Sequence, residues 1–195
     1  MVNIDNILKD TKFWSYFKGD VNDIIKKWSE PHRYFHTIEN HLEKILDHIE
    51  LDKDKYSKLE YDMMRITAIY HDVIYLQGEK DSINIKKSIE YFEKDFPEMI
   101  FIFKDKIKDI IDSTEGHNFE CEDKLCRNFN YYDMFGILHN TGEELIESND
   151  LVAKEQSSMD FDTFRNNNIN FLRKYVKYNP EIEKFITYMQ NKKSF

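Results

Sequence analysis

Apolar residues recur along most of this chain at the three- and four-residue steps of an α-helix. In "TIENHLEKILDHIEL" one stripe collects Ile38, Leu42, Ile45, Leu46 and Ile49. Thr37 is placed to cap that helix, and Pro31 argues against an unbroken helix through the preceding segment. In "LEYDMMRITAIYHDVIY" the stripe is Leu59, Met63, Ile66, Tyr70 and Val73. Amphipathic stretches over residues 81–96, 98–113, 123–138 and 161–178 predict further helices. A last one runs from about residue 181 to 192, with Asn179 as its cap and Pro180 at its first position. The first 29 residues predict one or two short helices carrying Trp14 and Trp28. Four segments fit helices least: 29–37, 76–82, 114–123 and 139–144. They are expected as connecting loops, where a rigid scaffold usually places its binding chemistry. With no internal repeat and no linker, residues 1–195 are expected to form one all-α domain.

Composition narrows this picture. Only 5 Gly and 3 Pro leave little turn chemistry for a β-sandwich or a Gly-looped α/β fold. The formal charge of −9 repels polyanions, so no nucleic-acid polymer is expected as a partner. No apolar run reaches membrane-spanning length, and the N-terminus lacks a signal-peptide pattern. The expectation is a cytoplasmic protein with no membrane partner. Cys121 and Cys126 lack a second Cys pair, so they are expected as free thiols.

The chemistry begins at "AIYHDVIY", residues 68–75, where His71 and Asp72 stand together in an apolar run. Neighbouring helical positions lie about 100° apart, so one of the pair must face inward. An ionised carboxylate is costly to bury without a partner. Coordination of a divalent cation would satisfy both side chains at once. His41, thirty residues upstream, and Asp133, embedded in "NYYDMFGIL", complete a candidate set of two imidazoles and two carboxylates. Such a mixed N/O shell suits manganese, iron, cobalt or zinc, and magnesium less naturally. The competing reading is that each is a satisfied core residue.

An early His, a His–Asp doublet and a distal Asp resemble the signature of the HD superfamily of metal-dependent phosphohydrolases. More narrowly, "PHRYFHTIENH", "AIYHDVIY", "GEKDSI", "TEGH" and "YYDMFGIL" follow, in order, the motifs of a small HD phosphohydrolase subfamily, covering roughly residues 28–140. The family's later Glu and Arg correspond to Glu155 and Arg165. Three positions depart from the pattern. His36 and His41 are five residues apart rather than four, Tyr131 replaces an acid, and Gly78 replaces an Asn.

The resemblance implies an HD-type helical bundle with a metal site between its central helices, hydrolysing a nucleotide or another small phosphorylated compound. It implies His41, His71, Asp72 and Asp133 as metal ligands. His36 would carry a proton beside them, although the roles of His36 and His41 could be exchanged. Glu79 would position water or pass a proton, and His117 would donate a proton, bind phosphate or hold a second metal. Arg33 and Lys80 would contact phosphate oxygens. The alternative is a helical protein that keeps an HD-like site and binds metal or nucleotide without turnover.

Overall fold

The periodicity is realised as eleven α-helices, and no strand occurs among the described residues, which in this computed structural model are 2–192. They are α1 (Ile4–Asp10), α2 (Val21–Trp28), α3 (Glu43–Leu51), α4 (Lys58–Tyr70), α5 (Asp81–Asp95), α6 (Phe101–Asp112), α7 (Lys124–Asp133), α8 (Phe135–His139), α9 (Gly142–Glu155), α10 (Phe161–Arg173) and α11 (Glu181–Asn191). Local signals start several of them. Ser57 and Glu60 form a reciprocal capping box on α4, and the Asn179 side chain accepts from the N–H of Glu181 at the start of α11.

Two hydrophobic clusters organise these helices. The first gathers buried side chains from Ile4 to Tyr132, including Trp28, Ile45, Ile66, Tyr70, Phe92 and Phe129. Its axis is α4, buried from Asp62 to Tyr70 and packed against α3, α5, α6 and α7. Complete burial of such side chains contributes about 1.5–3 kcal/mol each. The second cluster runs from Met134 to Met189 and belongs to α8–α11. The chain crosses from one to the other at Asp133, between Tyr132 and Met134. The seam between the two clusters is where the unusual polar residues meet.

The structure departs from the sequence expectation at five places. The helix expected through Val73 ends at Tyr70, so His71 and Asp72 lie at its C-terminal end and in the following turn. The Trp28 indole N–H, bonded to the carbonyl of Ile69 at 2.9 Å, fixes that end. Ile38–Leu42 forms one π turn before α3, with Thr37 capping it as expected. The stretch 123–138 breaks at Met134 into α7 and α8, and the one expected over 161–178 ends at Arg173. Finally, the segment expected as a loop at 139–144 starts α9: Thr141 and Glu144 form a capping box.

Candidate metal centre

His41 and His71 are buried with their Nε2 atoms 3.2 Å apart. His41 Nε2 lies 3.1 Å from Asp133 Oδ1 and 3.6 Å from Asp72 Oδ2. His71 Nε2 lies 3.3 Å from Asp72 Oδ2 and 3.8 Å from Asp133 Oδ1. The four side chains expected as ligands therefore come together from three separate parts of the fold. Atoms held about 2.0–2.2 Å from one cation lie about 3.0–3.5 Å apart, depending on the coordination angle. The observed spacings are close to that range.

The donor chemistry fits a cation as well. His71 Nδ1 is 2.9 Å from the carbonyl of Ala68, a contact that requires the proton on Nδ1 and leaves the Nε2 lone pair facing the cluster. Its carbonyl partner lies on the preceding turn of α4, so the helix itself selects this tautomer. The π turn does similar work for His41. A π turn holds one residue more than an α turn, and here the N–H groups of Leu42 and Glu43 donate back to the carbonyls of Thr37 and Ile38. The five-residue spacing of His36 and His41 is absorbed there while both rings face the cluster, 5.2 Å apart.

Electrostatics report the same convergence. Burial opposes the charge on His41, but Asp133 and Asp72 outweigh it and raise its pKa to about 9. Burial also works against Asp72, yet His71, His41 and His36 hold its carboxyl well below the usual carboxylate range. Asp133 is likewise held far down, against its burial, by His117 and His41.

The remaining candidates divide. His36 joins the cluster: its Nε2 is 3.9 Å from Asp72 Oδ2. The ligating atoms form two triads sharing His41, one with His36 and Asp72 and one with His71 and Asp133, each within 4.8 Å. His117 also joins, with Nδ1 3.3 Å from Asp133 Oδ2 but too poorly aligned to form a hydrogen bond. That buried nitrogen is otherwise unpartnered, and the residue has a left-handed backbone (φ 42°), a strained conformation of the kind that persists at functional sites.

Arg33, expected on phosphate, is buried and donates instead to the carbonyls of His36, Asp72 and Val73 at 3.2, 2.8 and 3.0 Å. Its guanidinium lies over the Trp28 and Tyr75 rings. It pins the loop before His41 to the turn after His71, which is a positioning role. Glu79 and Lys80 are exposed in the turn before α5, and neither side chain contacts the cluster among the described residues.

Two residues escaped sequence reasoning or were carried only by resemblance. Asp81, at the first position of α5, is exposed as Glu79 is; desolvation and the charges of Asp72 and Asp133 raise its pKa, with His117 and His36 opposing. Glu155, the last residue of α9, is fully buried against His36.

Two surface grooves lie elsewhere, one between α10 and α11 around Arg165 and Arg173, the other between α9 and α11 around Ile146 and Phe185. Neither is lined by any residue of the cluster. Both cysteines are free. No described helix is long and apolar enough to cross a membrane. Comparison with family models, curated proteins and solved structures finds no match to this chain.

Proposed function

We propose that this protein is a metal-dependent phosphohydrolase acting on a nucleotide or another small phosphorylated compound. The observation that carries the reading is the convergence of His71, Asp72 and Asp133 around His41 Nε2, at 3.2, 3.6 and 3.1 Å, with Nδ1 of His71 engaged by a carbonyl and its Nε2 turned inward. Acceptor atoms at these separations repel unless a proton or a cation stands among them. A divalent cation bound there would supply a Lewis acid for a phosphoryl oxygen and for the attacking water.

The chain's own groups would supply the rest. His117 lies on the cluster's edge, and Asp81 feels the charges of Asp72 and Asp133, which makes both candidate carriers of the leaving group's proton. Arg33 would keep the two ligand-bearing loops in register, rather than bind substrate. The resemblance to HD phosphohydrolases supplies the reaction class, which four metal-ligating residues alone would leave open.

The test is a screen of nucleotides and phosphomonoesters with manganese, magnesium, cobalt and zinc, run alongside elemental analysis. The parent and Asp54→Ala, altered at an exposed position, should carry metal and hydrolyse at least one ester. His71→Ala and Asp133→Asn should lose both metal and turnover. Equal metal content in all four proteins would reject the site. Stoichiometric metal with no ester hydrolysed would favour the second reading, a binding protein without turnover.

A further inference from the structure

Glu155 is the most completely engaged carboxylate at the seam. Its Oε1 accepts three consecutive backbone N–H groups, those of Tyr34, Phe35 and His36, each at 2.8 Å. Its Oε2 lies 2.6 Å from His36 Nδ1. Three convergent N–H groups make a nest for an anion, and this one is filled by a side chain at the end of α9, a helix that packs in the second cluster. Burial alone would raise the Glu155 pKa, but His36 and these N–H groups lower it overall, so the carboxylate is ionised in place.

An ionised Oε2 can only accept, so His36 must carry its proton on Nδ1. When the ring is neutral, its Nε2 then presents a lone pair towards Asp72, 3.9 Å from Oδ2. The contacts continue past Glu155. Gln156 Nε2 donates to the Tyr75 hydroxyl at 2.8 Å, and Gln77 Nε2 donates to Ser157 Oγ at 3.2 Å. Gly78 (φ 78°) approaches so closely that a Cβ there would come within 2.9 Å of Ser158 Oγ. The end of α9 thus closes on the 34–36 loop and on the 75–78 turn together.

We propose that Glu155 is a positioning residue that sets the tautomer and placement of His36, so that the metal site is complete only when the C-terminal helices are docked on the first cluster. The proposal rests on the functional reading above for its purpose, but its first consequence requires neither metal nor substrate.

Glu155→Gln is the informative variant, because Glu155→Ala would leave three buried N–H groups unpartnered and endanger the fold. In Glu155→Gln the amide oxygen would stay with the three backbone donors, since reversing the amide would oppose an NH₂ to all three. The NH₂ would then face His36 Nδ1, which could only accept, and the ring proton would move to Nε2. Nitrogen NMR of the metal-free protein, recorded alkaline of the ring's titration and assigned with His36→Gln, reads this directly. We expect an Nδ1–H ring in the parent and an Nε2–H ring in Glu155→Gln, at unchanged helicity. Manganese affinity, titrated with the metal alone, should fall about 10–100-fold, the usual loss when the group orienting a metal-facing imidazole is removed.

A Glu155→Gln protein with the parental tautomer, or with a reversed tautomer and parental manganese affinity, would overturn the proposal. Absence of hydrolysis in every protein would instead count against the phosphohydrolase reading and leave the tautomer result standing.

Discussion

Two acids in the 76–82 segment, Glu79 and Asp81, look alike in sequence and differ in surroundings. Both are exposed, and of Glu79 only the backbone N–H is engaged, at Leu76. Asp81 feels the charges of Asp72, Asp133, His36 and His117. For a substrate found in the metal screen, Glu79→Gln should stay within about threefold of the parent, while Asp81→Asn should lose roughly 10–10²-fold at unchanged metal content, towards the lower end for a proton carrier. Turnover and metal content measured on both variants decide this, and the reverse ranking would return Glu79 to the mechanism. The resemblance points to Glu79 from motif spacing, and spacing does not carry the surroundings that separate it from Asp81. Arg33 illustrates the same limit. Its cation was legible, but its bonds to three carbonyls depend on loops separated by about forty residues. The His–Asp doublet was legible because a charge in an apolar run is anomalous whatever the fold.

At the scale of elements, periodicity located most helices but not where they stop. α4 ends at Tyr70 because the next residues turn to face the seam, and the apolar pattern continues past that turn through Val73 and Tyr75 into buried positions of the same cluster and its edge. The start of α9 is written in Thr141 and Glu144, a capping box that outweighs the loop tendency of the Gly142 between them. The contact between α4 and α5 carries a separate prediction. Asp95 is buried beside Gly19, and the Tyr70 hydroxyl donates to it at 2.9 Å. Burial outweighs that bond and raises the Asp95 pKa above 3.8. Between 3.8 and the raised value the folded state binds more protons than the unfolded chain, so stability falls as pH rises through that window. Above it the full penalty persists. Asp95→Asn should therefore be more stable than the parent near neutrality. The advantage should vanish below pH 3.8. Urea midpoints of both proteins at acid and neutral pH test the sign, and a less stable variant at neutral pH would show that the ionised Asp95 is favourably held.

Across the whole molecule, the candidate ligands are dispersed along the chain: His41 precedes α3, His71 follows α4 and Asp133 ends α7, at the crossing between the two hydrophobic clusters. A cation bound by all of them exists only in the folded chain, so its binding free energy adds to folding stability. At a free metal concentration one hundred times the dissociation constant, one site contributes about 2.7 kcal/mol. For a protein of this length each kcal/mol moves the melting midpoint by about 2–4 °C, which gives an expected rise of roughly 5–11 °C. The rise should reverse with a chelator and be absent in His71→Ala and Asp133→Asn, whatever their own midpoints. Glu155→Gln should retain it, but only at a higher metal concentration, since its ligands remain and the orienting carboxylate alone is altered. Calorimetric scans across manganese, cobalt, zinc and magnesium give both the size of the rise and the metal preference. A midpoint indifferent to all four metals, or an equal rise in His71→Ala, would mean that the His/Asp cluster is held together by protons and hydrogen bonds alone.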